Sequence, residues 1–484
     1  MKSHDVRLTE ITIKNFKSIN YGVISLENSR RLTQASVLGI YGQNGSGKTA
    51  VIDVLDLLKH ILCGSRIPNK FADFINVDSS TASFIFKFSV SLDKQTYPVV
   101  YQFSICSAYD EPTTNLDDAS DKKQSKRVAI FNELLKCPII SNKQKSAKIG
   151  CLIDTNTNIL FKPNTKKELL IGKDKATLDD LLFTKKMCER TSCSFIFSLG
   201  LIKAIEKQRS FSNEGDDTHK ELSFYYDIIH SLIFYGNYEL FVITTAHSSL
   251  IGFDTQPFSF KITYKYEKIL GAIALPLGDE PIMIDQKLKT IVESVIQSLN
   301  TVLTEIVPGL TISIKELGNE ILKNGQLGCR LQLLSSRGGK AIALKYESEG
   351  IKKIISILNL LICVYNQPSI TVAIDELDAG IFEYLLGELL RIISENGKGQ
   401  LIFTSHNLRP LETLDSGFVA FTTTNPGNRF IRFSKVKSNN NLRDLYYRDI
   451  MLNDKHDDLY EYTHNGDIAL AFRKAGELID TSKE

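Results

Sequence analysis

Apolar and polar residues alternate from the start of the chain. Leu8, Ile11, Ile13 and then Phe16 mark residues 7–19 as a half-buried strand, with residues 21–26 as its partner. Residues 36–41 form a short apolar run that ends in glycines, and helical spacing follows at Val51, Val54, Leu55, Leu58 and Leu62 over residues 49–62. Residues 84–92 and 99–106 alternate again and predict a hairpin or small sheet, while the polar stretch 109–125 predicts a loop. Residues 130–280 show no dominant period. Residues 285–307 are clearer: Leu288, Ile291, Val292, Val295, Ile296, Leu299, Val302, Leu303 and Ile306 share one helix face. About three heptads are too few for a long coiled-coil arm, so this helix is expected to pack on its own domain.

Further on, residues 310–314, 330–334 and 341–345 read as strands, the last two joined at Arg337-Gly338-Gly339. A nearly all-apolar helix (351–365) precedes a buried strand (370–374), a helix (382–393) and a second buried strand (400–403). Two more strands (418–422, 430–435) lead into a polar tail. Strand and helix alternating around short apolar strands predicts an α/β fold with a mixed, mainly parallel sheet covered on both faces.

The chemistry sits at the ends of those strands. Gly42-Gln43-Asn44-Gly45-Ser46-Gly47-Lys48-Thr49 is a complete P-loop, following a strand and opening a helix. Its glycines let backbone N–H groups turn inward around phosphates, and the helix N-terminus adds its positive end. Lys48 supplies charge to the β- and γ-phosphates of ATP, and Thr49 offers its hydroxyl to Mg²⁺. The apolar strand ending in Asp375-Glu376 delivers one carboxylate to the Mg²⁺ shell and a second, Glu376, to polarise the attacking water. His406 closes the next buried strand, placed to meet the γ-phosphate. Ser348-Glu349-Gly350 precedes the apolar helix about 25 residues before the Asp-Glu strand; alone, it would read as a helix cap.

Composition narrows the setting. The apolar share of 43% and charged share of 24% are those of a soluble globular chain, and no apolar run approaches a membrane span. No apolar leader follows Met1, and the eight scattered cysteines, only Cys188 and Cys193 close together, read as reduced thiols in a cytoplasmic protein. The net charge is only +2, but residues 122–209 hold nineteen Lys and Arg against eight Asp and Glu. That segment fits nucleic acid, an acidic partner or a solvated lobe.

The order of motifs, from Lys14-Asn15-Phe16-Lys17-Ser18-Ile19 through the P-loop, Ser-Glu-Gly, Asp375-Glu376-Leu377-Asp378-Ala379-Gly380 and Thr404-Ser405-His406-Asn407, resembles the ABC-type ATPase heads of RecF, the structural-maintenance-of-chromosomes proteins and the overcoming-lysogenisation-defect proteins. The resemblance implies that Ser348 and Gly350 form the signature, Asp378 the D-loop and His406 the switch. It implies a head in two parts, 1–125 and 306–484, around an inserted, partly helical and basic lobe at 126–305. It also implies a homodimer or larger homo-oligomer, because signature and P-loop of one chain sit apart on one face. The signature lacks the double glycine of transporters, and too few residues follow His406 for a Toprim nuclease. What remains resembles the stand-alone ATPase subunits of PARIS-type and Septu-type anti-phage systems, which implies a separately encoded effector. A RecF-like DNA-binding repair ATPase is the alternative.

Overall fold

The computed structural model describes residues 5–27, 36–93, 95–109, 126–139, 148–157, 159–212, 216–244, 257–261, 272–276, 281–321, 327–433, 441–452, 459–461 and 464–480. The early alternation becomes an antiparallel sheet. β1 (Asp5–Phe16) turns into β2 (Ile19–Ser25), and the chain then leaves through β3 (Ser36–Tyr41) for another sheet. β4 (Thr81–Leu92), β5 (Gln95–Tyr109), β6 (Lys126–Pro138) and β7 (Ile149–Asp154) extend the first sheet in the order β2-β1-β4-β5-β6-β7. The hairpin or small sheet expected at 84–92 and 99–106 is therefore the middle of six strands. Residues 110–125, most of the expected loop, lie outside the described residues.

Helices Asn164–Ile171, Lys175–Thr191, Leu199–Phe211 and Asp217–Tyr238 follow, and then β8 (Leu240–Ile243). β9 (Pro257–Lys261) and β10 (Ala272–Pro276) pair with each other. β11 (Ile282–Asp285), β12 (Leu310–Ile321), β13 (Leu327–Arg337) and β14 (Lys340–Ala343) make a third sheet beside the helix Gln286–Ile306. Asp285 caps that helix through the Leu288 N–H at 2.7 Å, and Ile291, Val292, Ile296, Leu299 and Leu303 are buried on the chain's own core.

The central sheet runs β18-β17-β3-β16-β15-β8, with β15 (Thr371–Ile374), β16 (Gln400–Thr404) and β17 (Val419–Thr422) parallel to β3 and β8, and only β18 (Phe430–Ile431) antiparallel. Its side chains divide two cores by the period of two that a pleat imposes. Leu38, Ile40, Ala373, Ile402 and Ala420 face the P-loop helix and the antiparallel sheet. Val37, Tyr41, Val372, Ile374, Leu401 and Phe403 face the helices Gln286–Ile306, Glu349–Asn366 and Glu383–Asn396.

Strand pairing redraws the expected division of the chain. The boundary at 125/126 falls between β5 and β6, which pair along Val100–Tyr109, so the β-lobe runs on to Asp154. β8, from the middle of the supposed insertion, pairs in parallel with β15 in the central sheet. The last expected strand shortens to Phe430–Ile431, with residues 434–435 outside the described residues, and the tail holds helices Leu442–Leu452 and Asn465–Asp480. Several cations of the basic stretch are engaged within the fold: Lys126 with Asp73 at 2.6 Å, Lys166 with Glu221, and Lys185 with the carbonyls of Thr155, Thr157, Ile159 and Leu160. All eight cysteines are free thiols, and no helix among the described residues is long and apolar enough to cross a membrane.

One buried carboxylate fastens the β-lobe to the helices. Glu133 on β6, 3% exposed, accepts hydrogen bonds from Tyr101 Oη (2.9 Å), Ser194 Oγ, Phe195 N (2.9 Å) and Ile196 N (3.4 Å). Burial pushes its carboxyl pKa up, against the pull of those donors. Glu133→Ala would strand the donors in the core, with an expected loss of about 3–5 kcal/mol of stability. Urea unfolding monitored by circular dichroism measures it; a midpoint equal to the parent's would mean that the cluster is not holding the two parts together.

Candidate functional site

Because β3, β16 and β15 are neighbours, the loops at their carboxyl ends converge on one edge of the sheet, where ligands of such sheets bind. The P-loop follows β3. Gly42, Gly45 and Gly47 have φ of 151°, 79° and 96°. A β-carbon on Gly42 would lie 1.7 Å from Thr422 Oγ1, so the loop can pass β17 only without a side chain there. Ser46 Oγ, which donates to Gln43 O at 2.6 Å, also sits 2.5 Å from Thr422 Oγ1. Gly47 caps the helix Lys48–Leu62, whose first turn carries no acidic residue to compete with a phosphate. Lys48 is 6% exposed and donates to the carbonyls of Gly42 (2.8 Å) and Gln43 (3.0 Å). Burial pulls its ammonium below the ordinary lysine value, opposed by Asp375, Glu376 and Asp378.

Asp375 is fully buried at the end of β15. Its Oδ1 accepts from Thr404 Oγ1 (2.6 Å) and Thr49 Oγ1 (3.2 Å), while its Oδ2 is buried without a partner. An orphaned carboxylate oxygen beside a threonine hydroxyl is a hard-oxygen donor pair, which fits Mg²⁺. No group of three or more His, Cys, Asp or Glu that could hold a metal occurs among the described residues, so phosphate oxygens and water would supply the other ligands. Mg²⁺ held there would neutralise charge on the β- and γ-phosphates.

Glu376 occupies the left-handed backbone region at φ 49°, a conformation that costs a residue with a β-carbon about 1 kcal/mol. Its N–H donates to Thr404 Oγ1 at 2.8 Å, which helps hold it there. The side chain then lines a cleft of about 500 Å³ together with Asn44, Gly45, Gly47, Lys48, Thr49, Thr404 and His406. Lys48, Glu376 and the exposed His406 of the loop after β16 all line it.

Asp378, Ser348 and Gly350 stand outside this cleft. Asp378 does not line the cleft; its Oδ2 accepts the backbone N–H groups of His406 (3.1 Å) and Asn407 (3.0 Å), so it shapes the switch loop, and its Oδ1 is buried without a partner. Ser348 is the exposed cap of the helix Glu349–Asn366, accepting the Ile351 N–H at 3.4 Å. Gly350 packs on the D-loop: a β-carbon there would lie 2.2 Å from Gly380 O. Neither signature residue lines the cleft.

The structure adds residues that motif reading passed over. Lys17 and Ser18 line the cleft, and Lys17 pairs with Asp53 of the P-loop helix beneath the Phe74 ring. Both belong to a stretch quoted only as a resemblance. Thr404 ties the Asp375 carboxylate to the Glu376 N–H, and it stands two residues before the more conspicuous His406. The Gln43 amide grips the backbone of Glu461, accepting its N–H at 2.9 Å and donating to its carbonyl at 3.4 Å.

A P-loop, a buried aspartate at the end of a parallel strand and a glutamate beside it define a P-loop nucleotide site on an α/β sheet. The chain belongs to the AAA ATPase domain family, whose profile matches residues 7–409. Among solved structures it is similar to an Smc head bound to the C-terminal winged-helix domain of ScpA, with a TM-score of 0.41 and 12% identity over 88% of this chain and 98% of that one. The SMC head domain from Thermotoga maritima gives 0.36 and 14% over 88% and 99%, and an Smc head with coiled coil and joint from Pyrococcus yayanosii gives 0.41 and 11% over 92% and 99%. No curated protein matches the chain.

Proposed function

We propose that this chain is a Mg²⁺-dependent ATPase that hydrolyses ATP between two copies of itself and uses that cycle to control a separately encoded effector in anti-phage defence. The observation that carries the ATPase reading is the convergence of Lys48, Thr49, Asp375 and Glu376 at the carboxyl ends of adjacent parallel strands. Lys48 and the P-loop N–H groups would hold the phosphates, the Thr49–Asp375 pair Mg²⁺, and Glu376 the proton of the attacking water. The regulatory role rests on the motif-level resemblance to PARIS-type and Septu-type ATPases. Phage survival in cells carrying the full operon, compared with the Lys48→Ala version, tests it, and equal survival would end it. Hydrolysis stimulated by DNA and lost steeply with salt would instead favour a DNA-repair role.

The dimer is supported by the separation of the signature from the cleft of its own chain. With one P-loop and one signature per chain, the simplest completion is a two-fold pair with Ser348 and Gly350 of each copy facing the other's nucleotide. Mixing inactive Lys48→Ala and Ser348→Arg proteins in equal amounts is expected to restore about a quarter of the parent ATPase rate, since half of random dimers carry one intact site. Tagged pull-down shows whether subunits exchange; exchange without recovered activity would rule the shared site out.

A further inference from the structure

The P-loop is held from outside by the last part of the chain. Thr422, at the end of β17, donates to Tyr41 O at 3.2 Å and lies 2.5 Å from Ser46 Oγ. The helix Leu442–Leu452 packs on the same strand, where Tyr446 stacks on the Phe421 ring with centroids 5.0 Å apart. Leu442, Tyr446 and Leu459 are buried in the core that also takes in Tyr41 and Phe421. From buried Leu459 the backbone reaches the rim of the P-loop. There the Glu461 N–H donates to Gln43 Oε1 at 2.9 Å, and Glu461 O accepts from Gln43 Nε2 at 3.4 Å. Thr422 and Glu461 both lie beyond residues 7–409, the span of the family match, so the shared family pattern does not account for them.

Gln43 joins this support to the phosphate site. Its carbonyl accepts the Lys48 ammonium at 3.0 Å and the Ser46 hydroxyl at 2.6 Å, while its side-chain amide is taken up by Glu461. An amide that answers both the N–H and the C=O of one residue recognises backbone, whatever side chain stands there. The loop itself has little reason to keep its shape, since Gly42, Gly45 and Gly47 are conformationally permissive. Ordering such a loop before nucleotide arrives removes part of the ordering cost from binding.

We propose that residues 459–461 are a strap that pre-shapes the P-loop through Gln43, which makes Gln43 a positioning residue for ATP. This rests on the ATPase reading above. The strap raises nucleotide affinity by holding the carbonyl that anchors Lys48 and Ser46, and it leaves the hydrolytic step to Glu376. By linkage, bound Mg-ATP fastens the strap by the same factor.

The test is a double-mutant cycle in the full chain. Gln43→Met keeps the length of the side chain and removes both hydrogen bonds. Glu461→Pro removes the N–H from the other partner. Three quantities are read for the parent, the single variants and the double variant. They are Mg²⁺-dependent binding of MANT-ATP, steady-state kcat and KM, and hydrogen exchange of the peptide holding Glu461 with and without Mg-AMP-PNP. Each single variant is expected to lose about five- to tenfold in MANT-ATP affinity, the worth of one or two hydrogen bonds. KM should rise in step while kcat stays within about twofold, the pattern of lost binding. The double variant should bind no more weakly than the singles, because both remove one contact. In the parent, AMP-PNP should slow exchange at Glu461 about five- to tenfold, and in Gln43→Met that slowing should vanish. Parent affinity in either single variant overturns the proposal. So do losses that multiply in the double variant, which mean independent damage, and parent exchange at Glu461 that ignores nucleotide. Should Glu461→Pro not fold, the exchange difference between parent and Gln43→Met decides. A parent that binds MANT-ATP without hydrolysing it contradicts the ATPase reading alone, and affinity and exchange still judge the strap. A parent that does not bind it removes both.

Discussion

Replacing Glu376 by Gln is expected to lower kcat by about 10²–10⁴-fold, the usual contribution of a positioned proton acceptor, while Mg-ATP still binds. Gln preserves the size of the side chain and the N–H that Thr404 Oγ1 receives, so the left-handed turn at φ 49° stays in place. Lys48, Thr49 and Asp375 are untouched, and with them the contacts to phosphate and metal. Only the capacity to take a proton from water is removed. Single-turnover hydrolysis of radiolabelled ATP separates this step from binding, and sedimentation in ATP should show the variant held as a dimer. Hydrolysis at the parent rate would show that Glu376 is not the base.

Lys48→Ala is expected to give the opposite signature. A buried ammonium that meets phosphate oxygens contributes about 1.5–3 kcal/mol per charge-assisted bond, so ATP affinity should fall roughly 10–100-fold. Turnover should become undetectable. Stability without nucleotide should hold or increase, because the substitution removes a cation that burial already pulls toward its neutral form. The carbonyls of Gly42 and Gln43 lose a donor but gain access to water in the widened cleft. Titration with a fluorescent ATP analogue and a thermal melt report the two effects separately. A variant that binds the analogue as tightly as the parent would remove Lys48 from the phosphate site.

The parts of this site that were legible in the sequence are those whose chemistry is local. The P-loop needs glycines at fixed intervals before a helix, and Asp375-Glu376 needs only an apolar strand behind it; both leave marks within a dozen residues. The core elements were legible for the same reason, since periods of two and 3.6 survive in short windows. What escaped depends on contacts across long separations. β8 is four apolar residues lying over a hundred positions before β15, with nothing local to show that it completes the central sheet. Thr404 becomes informative only when its hydroxyl is seen to reach both Asp375 and the Glu376 N–H. Asp378 was grouped with the nucleotide ligands on resemblance, and its place under the backbone of the switch loop has no signature in composition or spacing.

The pairing of β8 with β15 also limits how the molecule can be trimmed. The Asp375 N–H donates to Ile243 O at 2.9 Å, the Thr371 N–H to Glu239 O at 2.9 Å, and Ser369 Oγ to the Glu239 carboxylate at 2.6 Å. Cutting out 126–305 to obtain a minimal head would strip the hydrogen-bonding partner from the strand that ends at Asp375. That strand, Thr371 to Ile374, would become a raw sheet edge, a template for association with other chains. The lobe is thus no detachable accessory, and engineering that exchanges it must bring its own replacement for Leu240–Ile243.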